Sequence, residues 1–169
     1  VAVTGSSGAG TTTVKRAFEH IFIREGINAA VVEGDSFHRY ERAEMKVKMA
    51  DEHLSHFGPE ANHFDKIAET FKSYGKSGTC MRRYYIHSDE EAAAHNKRLG
   101  GTDYQPGQFT PWEDIPTSTD LMFYEGLHGL VKTDKVNAAQ YVDLGVGVVP
   151  VVNLEWIQKI HRDSAERGY

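Results

Sequence analysis

The chain has 169 residues, a formal net charge of −5 and one cysteine. That length suits one domain with a sizeable core, and the acidic balance argues against a general nucleic-acid or anionic-membrane binder. No apolar run approaches a bilayer span, the opening residues show no signal-peptide pattern, and the lone thiol of Cys80 excludes an intrachain disulfide; the expected setting is a reducing cytoplasm.

Val1 to Thr4 reads as the end of a buried strand, shorter than the roughly five or six residues usual for a strand. It runs into Gly5-Ser6-Ser7-Gly8-Ala9-Gly10-Thr11-Thr12. This keeps the spacing of a phosphate-binding P-loop but has Thr11 where the pattern demands lysine. From Thr12 to Arg24 apolar residues recur at Val14, Ala17, Phe18, Ile21 and Phe22, a helical stripe closed by Gly26. Strand, glycine loop and helix in that order turn backbone N–H groups and the positive helix end toward a phosphate. Gly5, Ser6, Ser7, Gly8, Ala9, Gly10, Thr11, Thr12 and Thr13 are therefore the expected nucleotide-binding residues, with the Thr12 hydroxyl on a Mg²⁺ ion.

Asn28 to Glu33 predicts a second strand, and Glu41 to Met49 and Glu60 to Tyr74 predict helices. The segment 75–119 is rich in Gly, Pro, Asp and Thr without a clear apolar period; it is expected to be a loop-rich insertion, of the kind that is usually functional. Leu121 to Tyr124 and Val146 to Val152 predict two more strands, and Asn153 opens a final helix that spans 153–169. The alternation predicts an α/β fold with a parallel sheet covered on both faces. The short first strand and the helix at the other end predict a piece incomplete at both ends.

Ligands of parallel α/β sheets gather at the carboxyl ends of the strands, and charged residues cluster there. Asp35, Ser36, Phe37, His38, Arg39 and Arg42 follow the second strand, Glu125 the third, and the last helix carries Lys159, Arg162, Asp163 and Arg167. Asp35 is placed to accept a proton from an attacking hydroxyl, and Glu125 to hold Mg²⁺ beside the loop. Lys159 and Arg162 share a helix face and offer the positive charge the loop lacks, with Lys15 a rival source. His53, His56 and His63 fit no common zinc spacing, and the run Arg82-Arg83-Tyr84-Tyr85-Ile86-His87 suits either a surface or a sugar phosphate.

Four stretches resemble the bacterial phosphoribulokinase family: Gly5 to Thr11, Glu33 to Arg39, Phe123 to Gly129 and, longest of all, Val152 to Asp163. That family also has Thr in place of the loop lysine. The resemblance implies one P-loop kinase domain over 1–169 with a mixed, mostly parallel sheet and a lid helix at 153–169. It implies ATP-dependent phosphorylation of D-ribulose 5-phosphate at its C1 hydroxyl, giving ribulose 1,5-bisphosphate for the Calvin cycle. By matching position, Asp35 is the base, Glu125 the metal acid, and Lys159, Arg162 and Asp163 the catalytic residues of the lid. His38, Arg42, Tyr85, His87 and Arg167 become sugar-phosphate contacts, and Arg24 an effector residue. The family's members are oligomers, often octamers, activated by NADH and inhibited by AMP, and the absence of a paired cysteine points to the bacterial rather than the plant type. The residues alone leave two alternatives: a uridine- or pantothenate-kinase-like enzyme, or a nucleotide-binding regulator without turnover.

Overall fold

The computed structural model describes residues 1–166. The chain runs through β1 (Ala2–Gly5), α1 (Thr11–Glu25), β2 (Ala29–Glu33), α2 (Arg42–Asp51) and α3 (Phe64–Ser77). Then follow β3 (Met81–Arg82), α4 (Asp89–Arg98), β4 (Glu113–Asp114), β5 (Leu121–Gly126), β6 (Gly145–Val148) and α5 (Val152–Glu166). Strands β2, β5, β1 and β6 lie side by side in that order, all parallel. Antiparallel pairing occurs outside that sheet, in a separate ribbon of β3 and β4 and in isolated bridges such as His38 with Asn62 and Tyr85 with Phe109.

Register decides which residues form the core. Tyr124 lies opposite both Ala2 and Val32, and Phe123 opposite Val31. Side chains alternate across a strand, so Ala2, Ala30, Val32, Met122 and Tyr124 face one side and Val3 and Phe123 the other. The first face is covered by α3, whose Phe64, Ile67 and Phe71 are buried at helical spacing. The second is covered by α1 through Val14, Phe18 and Phe22, with Phe18 and Phe22 ring centroids 5.2 and 5.4 Å from that of Phe123. The α1 stripe is narrower than the sequence pattern, because Ile21 turns outward.

The segment 75–119 holds more regular structure than its composition suggests. Helix α4 has no apolar stripe to betray it. Its Ser88 Oγ accepts from the Glu91 N–H at 3.2 Å, acids fill its first turn, and His95, Lys97 and Arg98 fill its last. Capping and complementarity to the helix dipole hold it. Strand β6 stops short of the expected Val152, because Pro150 cannot continue a ladder and Val149 to Val151 leave the sheet for α5.

Both faces depend on the aromatic contacts of β5. Phe123→Ala is expected to lower the unfolding free energy by about 3–5 kcal/mol in urea titrations; a loss below about 1 kcal/mol contradicts this account of the core.

Candidate active site at the carboxyl edge of the sheet

The glycine loop leaves β1 at this edge and enters α1 with Gly8 and Gly10 at φ of 94° and 97°. Gly10 caps the helix without a side-chain bond, and no acid stands in the first turn, an arrangement of amides and helix dipole suited to an anion. At Gly8 the need for glycine is twofold: the left-handed backbone disfavours a side chain, and a Cβ there would meet Lys159 Cβ at 3.0 Å and the Glu155 carbonyl oxygen at 3.3 Å. Helix α5 is thus seated on the loop. Arg162 Nη2 reaches Ser7 Oγ at 3.4 Å and is held by Asp163 Oδ1 at 2.7 Å. Between helix and loop lies a cavity of about 530 Å³ lined by Ser6, Ser7, Phe57, His128, Trp156 and Lys159.

Asp35 sits in a short 3₁₀ turn, Gly34–Phe37, immediately after β2. The turn packs tightly on β5, since a Cβ on Gly34 would lie 2.5 Å from the Tyr124 hydroxyl. The Asp35 side chain is 46% exposed, open to a ligand, and flanked by two imidazoles, His38 Nε2 at 3.6 Å and His87 Nε2 at 3.4 Å. Burial by itself disfavours the charged form of His38. The hydrogen bonding and charge of Asp35 and the bond with Asn62, 2.7 Å from Nδ1, outweigh that and raise its pKa above the ordinary 6.5. The same attraction works in both directions, favouring a protonated His38 and an ionised Asp35 over their neutral forms. Tyr85 joins the group edge-on to both His38 and His87. Arg42 donates from Nε to the Tyr85 hydroxyl and from Nη2 to the His87 carbonyl oxygen, both at 3.3 Å. Asp35, His38, Arg42, Tyr85 and His87, separated by up to about fifty positions, are therefore one cluster.

The acid near the end of β5, Glu125, is more buried. Desolvation raises the Glu125 pKa, the charges of Asp35 and Glu33 add to this, and hydrogen bonding with Thr11 and the charge of Lys15 counter it. Thr11 and Lys15 are four apart on α1 and share a face toward Glu125, and Thr12 beside them is exposed. Lys15 is committed to Glu33, its Nζ 2.6 Å from Oε1. No group of three His, Cys, Asp or Glu that could hold a metal occurs among the described residues. A Mg²⁺ bound through one or two carboxylates and substrate phosphates needs no such cage, and hard oxygen donors beside an anion-binding loop fit that ion. Arg24, about 20 Å from the loop along α1, pairs with Glu25 at the surface. Arg167 lies outside the described residues. No described helix is long and apolar enough to cross a membrane.

A family model described as the phosphoribulokinase / uridine kinase family matches residues 1–169. The chain belongs to that family. It is 57% identical to a phosphoribulokinase of Nitrobacter vulgaris and 59% identical to the plasmid phosphoribulokinase of Cupriavidus necator, in each case over 100% of this chain and 58% of the relative. Among solved structures, the phosphoribulokinase from Rhodobacter spheroides is 45% identical, with a TM-score of 0.81 over 99% of this chain and 57% of its own. The chain therefore spans less than two thirds of the length of these relatives.

Four further side chains stand beside the Asp35 cluster without a role assigned to them from sequence. His56 packs at a tilt against His38, with ring centroids 4.6 Å apart, and lies near enough to Asp35 and Lys159 for both charges to act on it; its spacing from other histidines carried no signal. Asn62, bonded to His38, is equally silent in sequence, and Arg83, bonded to the Asp35 turn, stands there only within the basic and aromatic run 82–87 with no role of its own. His128 packs on Phe64 with its Nε2 buried and unpartnered. Burial, then the charge of His38, lowers its pKa from 6.5 to about 4. The folded state keeps His128 neutral while the unfolded chain takes up a proton, so its contribution to stability is full above pH 6.5 and is lost as pH falls toward 4. His128→Phe is expected to lose less stability than the parent chain between those two pH values in urea melts; an equal or larger loss contradicts the assignment.

Proposed function

We propose that this chain carries the active site of an ATP-dependent kinase that phosphorylates the C1 hydroxyl of D-ribulose 5-phosphate, forming ribulose 1,5-bisphosphate for carbon fixation. One observation carries the reading: an accessible carboxylate, Asp35, held between two imidazoles with Arg42 and Tyr85 behind them. The identity to proteins named phosphoribulokinase supports the choice of acceptor. A cytoplasmic homo-oligomer, up to an octamer, with NADH as activator, AMP as inhibitor and Arg24 in the effector response, belongs to the same proposal.

On this reading Asp35 takes the proton of the C1 hydroxyl as that oxygen attacks the γ-phosphorus. The new C1–O–P bond forms as the bond from the γ-phosphorus to the β–γ bridging oxygen breaks, and ADP leaves. His38, Arg42, Tyr85 and His87 bind the acceptor's 5-phosphate and hydroxyls, with Arg167 completing the set. The amides of Gly5 to Thr13 would hold the nucleotide phosphates, and Glu125 and Thr12 would hold Mg²⁺. When bound, that ion neutralises charge developing on the phosphate oxygens. Lys159 brings positive charge over the loop, with Arg162, held by Asp163, beside it; Lys15 is already paired with Glu33.

Asp35→Asn is expected to lower kcat by about 10²–10⁴-fold with ATP affinity nearly unchanged, in a coupled assay offering ribulose 5-phosphate or uridine. Faster turnover of uridine, or full activity of the variant, contradicts the reading. In the same assay Lys159→Met is expected to depress kcat more than Lys15→Met; the reverse order overturns the assignment of the mobile charge.

A further inference from the structure

Arg83 contacts the backbone of the segment that carries Asp35. Its Nε donates to the Ser36 carbonyl oxygen and its Nη2 to the His38 carbonyl oxygen, both at 2.7 Å. Ser36 follows Asp35 directly, and His38 is itself 3.6 Å from the Asp35 carboxylate. The fork therefore grips the turn on both sides of Phe37. The guanidinium is caged by rings: its carbon lies 3.7 Å from the Phe109 centroid and 4.8 Å from that of Trp112, and Trp112 packs against Phe37 at 5.9 Å. Burial pushes the Arg83 pKa down to about 10, with Glu41 opposing the shift, so the group remains a cation at neutral pH. A planar fork can bridge two carbonyls at fixed geometry, whereas an ammonium group bonds as a point.

We propose that Arg83 is a positioning residue for phosphoryl transfer: by holding the Ser36 and His38 carbonyls, it fixes the Asp35 carboxylate relative to the His38 imidazole and the attacking hydroxyl. This rests on the reading of Asp35 as the base. A displacement of about 1 Å at a reacting group costs on the order of 10²-fold in rate, which sets the scale of the effect.

The test is a double-mutant cycle in the full-length protein, with kcat and KM measured for ribulose 5-phosphate and ATP. Arg83→Lys is expected to keep the parent's circular dichroism and melting transition, to lower kcat by about 30- to 100-fold, and to leave the KM for ATP within about threefold. In an Asp35→Asn background the same change is expected to cost less than about threefold, because residues acting as a unit are not additive. Equal losses in both backgrounds, or an Arg83→Lys kcat within about threefold of the parent, overturn the proposal. Should Arg83→Lys fail to fold, Phe109→Leu loosens the cage while keeping the fork. It is then expected to lose about tenfold in kcat, a loss absent from the Asp35→Asn background, and no loss overturns the proposal. If Asp35→Asn alone retains full kcat, the reading of Asp35 falls and the positioning role with it. If only the Arg83 and Phe109 variants retain kcat, the positioning role alone falls.

Discussion

The parallel register of β2, β5 and β1 sets Glu33 directly opposite Glu125 on neighbouring strands, and like charges so placed repel. Lys15 resolves the conflict from α1. Its ammonium pairs with Glu33 and its charge also reaches Glu125. The fit requires the first turns of α1 to lie over the ends of both strands, which is where the glycine loop delivers them. One electrostatic constraint thus ties the loop, the first helix and the two acid-bearing strands into one edge, and the turn carrying Asp35 follows from β2 at once.

That commitment of Lys15 divides the positive charge of the site. The charge buried under α1 serves the acids of the sheet, while Lys159 and Arg162 reach the loop from α5 on its other side. Loop and helix meet across Gly8 with no room for a side chain. A second division separates acid roles. Asp35 is exposed and flanked by imidazoles, and Glu125 is sunk beside Thr11 with a raised pKa. In the proposed reaction the exposed acid moves a proton and the buried one serves a cation.

Much of this was legible in the sequence. Strands covered on both faces read as unbroken apolar runs, glycine spacing marks the loop, and the α1 stripe marks its helix. Helix α4 was not legible, since a serine cap and end charges hold it rather than a buried face. The bond between Thr11 and Glu125 joins the first turn of α1 to a strand more than a hundred residues away, so the loop's spacing carries no sign of it. Arg83 and Asn62 gain their meaning from partners 47 and 24 residues away, and His56 from the His38 ring it packs against. Such contacts leave no local pattern. Their residues emerge only when the ribbon of β3 and β4 and the turn after β2 are seen together.

The central claim is that the Asp35 cluster and the glycine loop together transfer phosphate to a sugar phosphate. The most direct measurement is a single turnover of the full-length protein with γ-³²P-labelled ATP and ribulose 5-phosphate, with the product resolved by chromatography and ³¹P NMR. The account predicts the label esterified at C1 of ribulose 1,5-bisphosphate. Label found only in inorganic phosphate, or ATP bound without transfer, would contradict it.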